Sequence, residues 1–169
     1  MKYEIIDNFL SRDDHKFLVE EFVGVGLNTG KVNWFLNNLI TGTKDEVCNL
    51  YYFTHLFYQE QKIYSAEYES IIENIFLKKL NVKSLIRAKG NLYPGANKIT
   101  EHGSHVDFPF KHNGAIYYIN TNDGYTKLKD GTKIESVANR LLKFDASELH
   151  SSTDCTTDKY RVNINFNYF

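Results

Sequence analysis

Proline is nearly missing from this chain: Pro94 and Pro109 are the only two in 169 residues. Cysteine is as rare. Cys48 and Cys155 fit no zinc-ligand spacing and no disulfide framework, so free thiols and a reducing compartment are expected. There is no long apolar run: no window approaches a membrane span. The start, Met1 to Asp7, has no leader-like apolar stretch before its first acids, Glu4 and Asp7. Charge of one sign is not in excess. Lys plus Arg number 20 against 21 for Asp plus Glu, which gives no electrostatic reason to expect a nucleic acid or an anionic membrane as partner. No internal repeat, low-complexity tract or linker breaks the chain. These absences predict one domain over residues 1–169, cytoplasmic, with a core of its own.

Aromatic residues are abundant, with 12 Tyr and 12 Phe, and favour a β-rich body. The stretch around which the chemistry gathers is Glu101-His102-Gly103-Ser104-His105-Val106-Asp107. On an extended backbone, alternate side chains leave one face, so His105 and Asp107 can close on one ion. A distant His150 would complete two imidazoles and one carboxylate, a set that leaves coordination positions open and suits non-haem Fe(II). Arg161, at the start of Arg161-Val162-Asn163-Ile164-Asn165-Phe166-Asn167-Tyr168, could hold the far carboxylate of a 2-oxo acid. H-x-D alone is a weak signal, since a His or Asp in a loop is most often simply solvated. The order carries more: H-x-D, a β-rich stretch, a His, then an Arg opening a final strand. His102 is the rival imidazole. Gly103 and Pro109 argue against the helix that H-x-x-H would need, which leaves His102 supporting the ligands or exposed. His15, His55 and His112 are expected to be surface or packing residues.

In chain order, residues 2–6 read as a strand. Ser11 caps a helix to about residue 23, with Asp13 and Asp14 in its first turn and Phe17, Leu18, Glu21 and Phe22 on its buried face; Gly24 and Gly26 stop it. Residues 28–65 are the least legible. Strands are expected at Val32–Leu36 and Asn49–Thr54, with a break at Gly42 and Lys44-Asp45-Glu46. Residues 66–80 form the clearest helix, with a stripe of Tyr68, Ile71, Ile72, Ile75, Phe76 and Leu80, Glu69 and Glu73 facing out, and Asn81 closing it. From Val82 the period becomes two. Leu85, Arg87, Lys89, Asn91 and Tyr93 share one strand face, either lining a cavity or facing solvent. Asp123-Gly124 and Asp130-Gly131 are hairpin signals separating strands near 116–120, 125–128 and 133–137. Further strands are expected at 141–144 and 160–168. Short strands with regular turns and no intervening helix predict a mainly β fold with supporting helices: a jelly roll or barrel. Asn163, Asn165 and Asn167 share strand parity with Arg161. Asn163 and Asn91 are candidates to touch co-substrate or substrate, or to bond within the wall.

Taken together, Asp7-Asn8-Phe9-Leu10-Ser11, Tyr93-Pro94-Gly95, His105-Val106-Asp107, Ile116-Tyr117-Tyr118-Ile119-Asn120, Asp123-Gly124-Tyr125-Thr126, Leu142-Lys143-Phe144, His150 and Arg161 resemble the 2-oxoglutarate- and Fe(II)-dependent oxygenases of the prolyl-4-hydroxylase-like group. The likeness covers residues 82–169 and extends weakly to the N-terminus. It implies a double-stranded β-helix (a cupin-like jelly roll) over 82–169, with 1–81 as helical support and substrate-side segments. It implies His105, Asp107 and His150 as iron ligands, Arg161 on the distal carboxylate of 2-oxoglutarate, and Tyr93 and Tyr118 as hydrogen-bonding groups for that co-substrate. Dioxygen would be the oxidant, with ascorbate as an auxiliary reductant. The chain departs from the family at Asp123-Gly124-Tyr125-Thr126, where Gly-Gly-x-Thr is usual, and at Arg161-Val162-Asn163, where Arg-x-Ser is common. No second Arg follows at the spacing of nucleic-acid dealkylases. The expected activity is hydroxylation of an unactivated C–H bond, foremost on a peptidyl side chain such as proline and next on a free amino acid or other small molecule. Two rivals are a cupin-like barrel that binds metal or a small molecule without oxygen chemistry, and a structural β-barrel with incidental histidines.

Overall fold

The computed structural model describes residues 2–38 and 51–169. Its elements in order are β1 (Glu4–Ile6), α1 (Arg12–Val23), β2 (Phe35–Asn37), β3 (Tyr52–Gln59), β4 (Lys62–Ile63), a π-type helix (Tyr68–Leu77) running into a single turn α2 (Lys78–Leu80), β5 (Leu85–Pro94), β6 (Asn113–Tyr118), β7 (Tyr125–Leu128), β8 (Lys133–Glu135), β9 (Arg140–Asp145), β10 (His150–Ser152) and β11 (Tyr160–Tyr168). Among the described residues every pair of these strands is antiparallel. The larger sheet has the order β1-β9-β6-β11-β5-β3-β2, with β4 on β3, and the smaller is β10-β7-β8. This is the expected mainly β jelly roll with supporting helices. Among the described residues no helix is long and apolar enough to cross a membrane.

The two faces of the large sheet do different work, and residue parity says which is which. On β11, Val162, Ile164, Phe166 and Tyr168 join Ala88 of β5 and Tyr117 of β6 in an apolar layer against the helices. There they meet Leu18 and Phe22 of α1 and the stripe Tyr68, Ile71, Ile72, Ile75, Phe76 and Leu80. Ser11 caps α1 by accepting the Asp14 amide at 3.1 Å. Asn81 ends the second helix in the left-handed conformation, φ 54°. The other face looks toward the small sheet. Ile116, Tyr118, Leu142 and Phe144 pack there on Leu128 and Ile134, but β5 and β11 present polar side chains instead.

The structure corrects several boundaries. The strand expected over Val32–Leu36 starts only at Phe35, because Lys31 and Val32 donate to the Glu21 carbonyl (2.8 and 3.0 Å) and the Trp34 indole donates to the Phe22 carbonyl (3.2 Å). These bonds tie the segment to the end of α1. The strand expected at Asn49–Thr54 runs over Tyr52–Gln59. Its first residues, the break at Gly42 to Glu46, and Cys48 lie outside the described residues. Asp130-Gly131 turns the β7–β8 hairpin as expected, with Gly131 at φ 87°. Asp123-Gly124 is no hairpin: β6 pairs with β9 and β11, whereas β7 pairs with β8 and β10. The chain crosses between sheets there. The Asp123 carboxylate accepts from the amides of Thr156 (2.7 Å) and Thr157 (3.2 Å) and from the Thr156 hydroxyl. These bonds fasten the crossing to the loop before β11.

Candidate metal centre

His105 and His150 are brought opposite each other by an isolated antiparallel bridge, each amide donating to the other's carbonyl at 2.9 Å. A second bridge, Glu101 to Thr153, extends this strip along β10. The imidazole centroids lie 4.6 Å apart. Asp107, two residues on, turns its carboxylate to both rings: Oδ1 is 3.9 Å from His105 Nε2 and Oδ2 is 3.8 Å from His150 Nε2. One ligand atom from each of the three residues falls within 4.8 Å of the others.

The ring tautomers follow from what each Nδ1 meets. His150 Nδ1 lies 3.0 Å from the Glu148 carbonyl and His105 Nδ1 lies 3.3 Å from the Gly103 carbonyl. A carbonyl can only accept, so Nδ1 donates and the Nε2 lone pair is left for a cation. Burial and then the neighbouring His150 push His105 below its ordinary range, which keeps it neutral, the form that ligates. Burial by itself would raise Asp107. The Arg87 guanidinium, with His150 and the Asn167 amide, overrides it and holds the carboxyl well below the usual range. Two imidazole Nε2 atoms and one carboxylate, with no other protein ligand among the described residues, fit a divalent first-row metal with open positions. This is the donor set expected for Fe(II).

Three residues that the sequence reading did not assign to the site hold Asp107 in place. Arg87 of β5 donates to Oδ1 at 2.7 Å, and Asn167 of β11 donates to Oδ2 at 2.8 Å, with Asn165 at 3.3 Å. Asn167 Oδ1 accepts from Arg87 Nε (3.1 Å), and its amide group also reaches His112 Nε2 (3.1 Å). His112 is thus buried packing, as expected, and also the outer brace of the carboxylate. A shared strand face carried the only sequence signal, and it covered Arg87, Asn165 and Asn167 but not His112.

Arg161 is completely buried. Its Nε donates to Ser136 Oγ (2.7 Å), Nη2 to Thr126 Oγ1 (3.1 Å) and Nη1 to the Thr153 carbonyl (3.4 Å). The guanidinium lies over the rings of Tyr93 (5.4 Å) and Tyr118 (5.6 Å). Among the described residues no carboxylate pairs with it. Tyr118 donates its hydroxyl to Thr126 Oγ1 at 2.8 Å. Asn91 and Asn163 face each other across β5 and β11 and bond at 3.0 Å, leaving Asn91 Oδ1 buried without a partner. His102 is buried, which removes the exposed alternative. It tilts against Tyr93 at 5.1 Å with its Nε2 unpartnered. Burial first, and then Arg161, push it down to about 4. His55 is buried packing against Phe57, and His15 lies beside Tyr117.

No protein-family model and no curated protein sequence matches this chain. Solved structures do. A viral collagen prolyl hydroxylase from Paramecium Bursaria Chlorella virus-1, in its 2OG complex, superposes with TM-score 0.62 over 99% of this chain and 95% of its own, at 15% identity. A prolyl hydroxylase from Trichoplax adhaerens, in complex with a hypoxia inducible factor peptide fragment, gives 0.65 over 99% and 83%, at 15% identity. An oxidoreductase of the 2OG-Fe(II) oxygenase family from Burkholderia pseudomallei gives 0.67 over 98% and 84%, at 7% identity. The fold is therefore the jelly roll of prolyl hydroxylases and 2OG-Fe(II) oxygenases.

Proposed function

We propose that this chain is an Fe(II)- and 2-oxoglutarate-dependent oxygenase that hydroxylates an unactivated C–H bond, with a peptidyl side chain such as proline as first candidate. The observation that carries the reading is a pair of features between the two sheets: a His105-Asp107-His150 triad, and a fully buried guanidinium, Arg161, with no described acid beside it. A buried cation without a counter-charge is costly. A dicarboxylate ligand removes that cost, whereas a barrel that only stores metal leaves Arg161 unexplained. The shared fold with two prolyl hydroxylases, one solved with a peptide, supports the peptidyl candidate.

His105, Asp107 and His150 would hold the metal. Bound there with 2-oxoglutarate and dioxygen, it supplies the oxidising power that no side chain here can provide. The protein's part is to bind, orient and exclude water. Arg161 would take the distal carboxylate of the oxo acid through charge-assisted hydrogen bonds, with the Tyr118 and Tyr93 hydroxyls as neighbouring polar groups. Phe144 meets the His150 ring edge-on at 4.9 Å, and Ile116 and Leu142 complete a dry wall. The test is 2-oxoglutarate binding to Mn(II)-loaded protein, followed by co-substrate consumption with Fe(II), ascorbate and either proline-containing peptides or free amino acids. Binding together with consumption stimulated by a peptide or a free amino acid is expected. Absence of 2-oxoglutarate binding rejects the reading.

A further inference from the structure

The inner faces of β5 and β11 form a ladder of facing residues: Tyr93 with Arg161, Asn91 with Asn163, Lys89 with Asn165, and Arg87 with Asn167. Three cations stand on it. Arg161 is accounted for by the oxo acid. Arg87 is paired with Asp107 and covered by the Phe108 ring at 5.0 Å. Lys89 has no hydrogen bond and no ion pair among the described residues. Its ammonium lies over the face of Tyr52, 5.8 Å from Nζ, and Tyr52 in turn stacks on Tyr93 at 5.4 Å; Arg87, Asp107 and His105 are the charged or titratable groups that act on it through space. Beside it, Asn165 Oδ1 and Asn91 Oδ1 are both buried without partners. An unpaired ammonium next to two unused amide acceptors, on the wall that also carries the anchors of Asp107, is the complement of a molecule that offers a carboxylate and N–H groups together. Desolvation, with Arg87 adding to it, pushes Lys89 down to about 8. That keeps it largely cationic at neutral pH and reactive just above.

Building on the oxygenase reading, we propose that Lys89 receives a free carboxylate of the molecule to be oxidised, whose N–H groups bond the Asn91 and Asn165 amide oxygens; the substrate class is an amino or imino acid with an unblocked carboxyl group, the second of the two candidates, in place of a residue inside a peptide. The carboxylate at Lys89 is a second one. Arg161 and the rung partner of Lys89, Asn165, stand four residues apart on β11, roughly 13 Å of extended chain, more than a five-carbon diacid spans. The alternative source of the same chemistry is the co-substrate's own inner carboxylate, and the experiment separates the two.

The protein is trace-acetylated with acetic anhydride near pH 8, and Lys89 modification is read by mass spectrometry relative to the other lysines. The additions are 2-oxoglutarate with Mn(II), the common L-amino acids, and the C-terminal amides of the same amino acids. With 2-oxoglutarate and Mn(II) alone Lys89 is expected to stay reactive. At least one free amino acid is expected to protect it, and its amide is not. Lys89→Met is expected to bind that amino acid about tenfold to a hundredfold more weakly, as befits a lost charge-assisted bond, with Lys89→Arg restoring most of the affinity. Protection by 2-oxoglutarate alone, equal protection by acid and amide, or no protection by any amino acid overturns the proposal. Failure of the oxygenase reading shows separately, as absent 2-oxoglutarate binding to wild-type protein, and acid-specific protection of Lys89 then still supports the carboxylate site.

Discussion

Asp107 gains its fixed direction from donors far along the chain, Arg87 twenty residues before it and Asn167 sixty after. A ligand so braced has its lone pairs aimed before metal arrives, and removing a brace loosens the site without touching a ligand. Asn167→Ala should therefore lower Mn(II) affinity about tenfold to a hundredfold, measured by titration of free Mn(II), with the far-ultraviolet spectrum unchanged. Arg161 offers the complementary test. Arg161→Ala should weaken 2-oxoglutarate binding by about 1.5–3 kcal/mol, the worth of hydrogen bonds to a charged group, while Mn(II) affinity stays close to that of the wild type. Calorimetry on the metal-loaded protein separates the two effects.

Among the elements, the crossing between β6 and β7 controls the site most directly. A Cβ at Gly124 would lie 2.6 Å from Arg161 Cδ and 2.5 Å from the Asp154 carbonyl. Only glycine leaves room for the buried guanidinium, and this close approach explains the residue better than a hairpin turn does. Gly124→Ala should destabilise the fold by about 1–3 kcal/mol, the usual cost of overpacking, and weaken 2-oxoglutarate binding as Arg161 is displaced. Chemical denaturation and the same calorimetry would show both losses, and a neutral outcome would mean that the crossing can move aside. The register of β11 on β5 matters equally. A slip of one residue would turn Arg161, Asn163, Asn165 and Asn167 toward the helices and Val162, Ile164 and Phe166 toward the small sheet.

Over the whole molecule, burying neutral histidines couples stability to pH. His102 is pushed down to about 4, and His105 is lowered as well. The unfolded chain takes up these protons near the ordinary value of about 6.5, before the folded protein does. The stabilisation from keeping them neutral is thus fully present above about pH 6.5 and is lost as pH falls toward the folded values. Metal-free protein should show a falling denaturation midpoint between about pH 6.5 and 4, and His102→Gln should flatten that slope. An unchanged slope would mean that His102 is not buried in its neutral form.

Much of this was legible beforehand, because it depends on local period. The helical stripe from Tyr68 to Leu80, the Ser11 cap, the alternation along β5 and β11, and the triad of His105, Asp107 and His150 all appear as spacing or order in the chain. The braces do not. That Arg87 reaches Asp107, that His112 steadies Asn167, and that Gly124 makes room for Arg161 depend on which strands become neighbours and in what register. Hydrophobic alternation can tell each strand which face to bury, but it names no partner. Pairing is chosen by the closing of the two sheets and the packing of the helices behind them, so the amino-acid order supplied the ligands and the cations, and the tertiary fold alone decided which of those cations would be left without an anion.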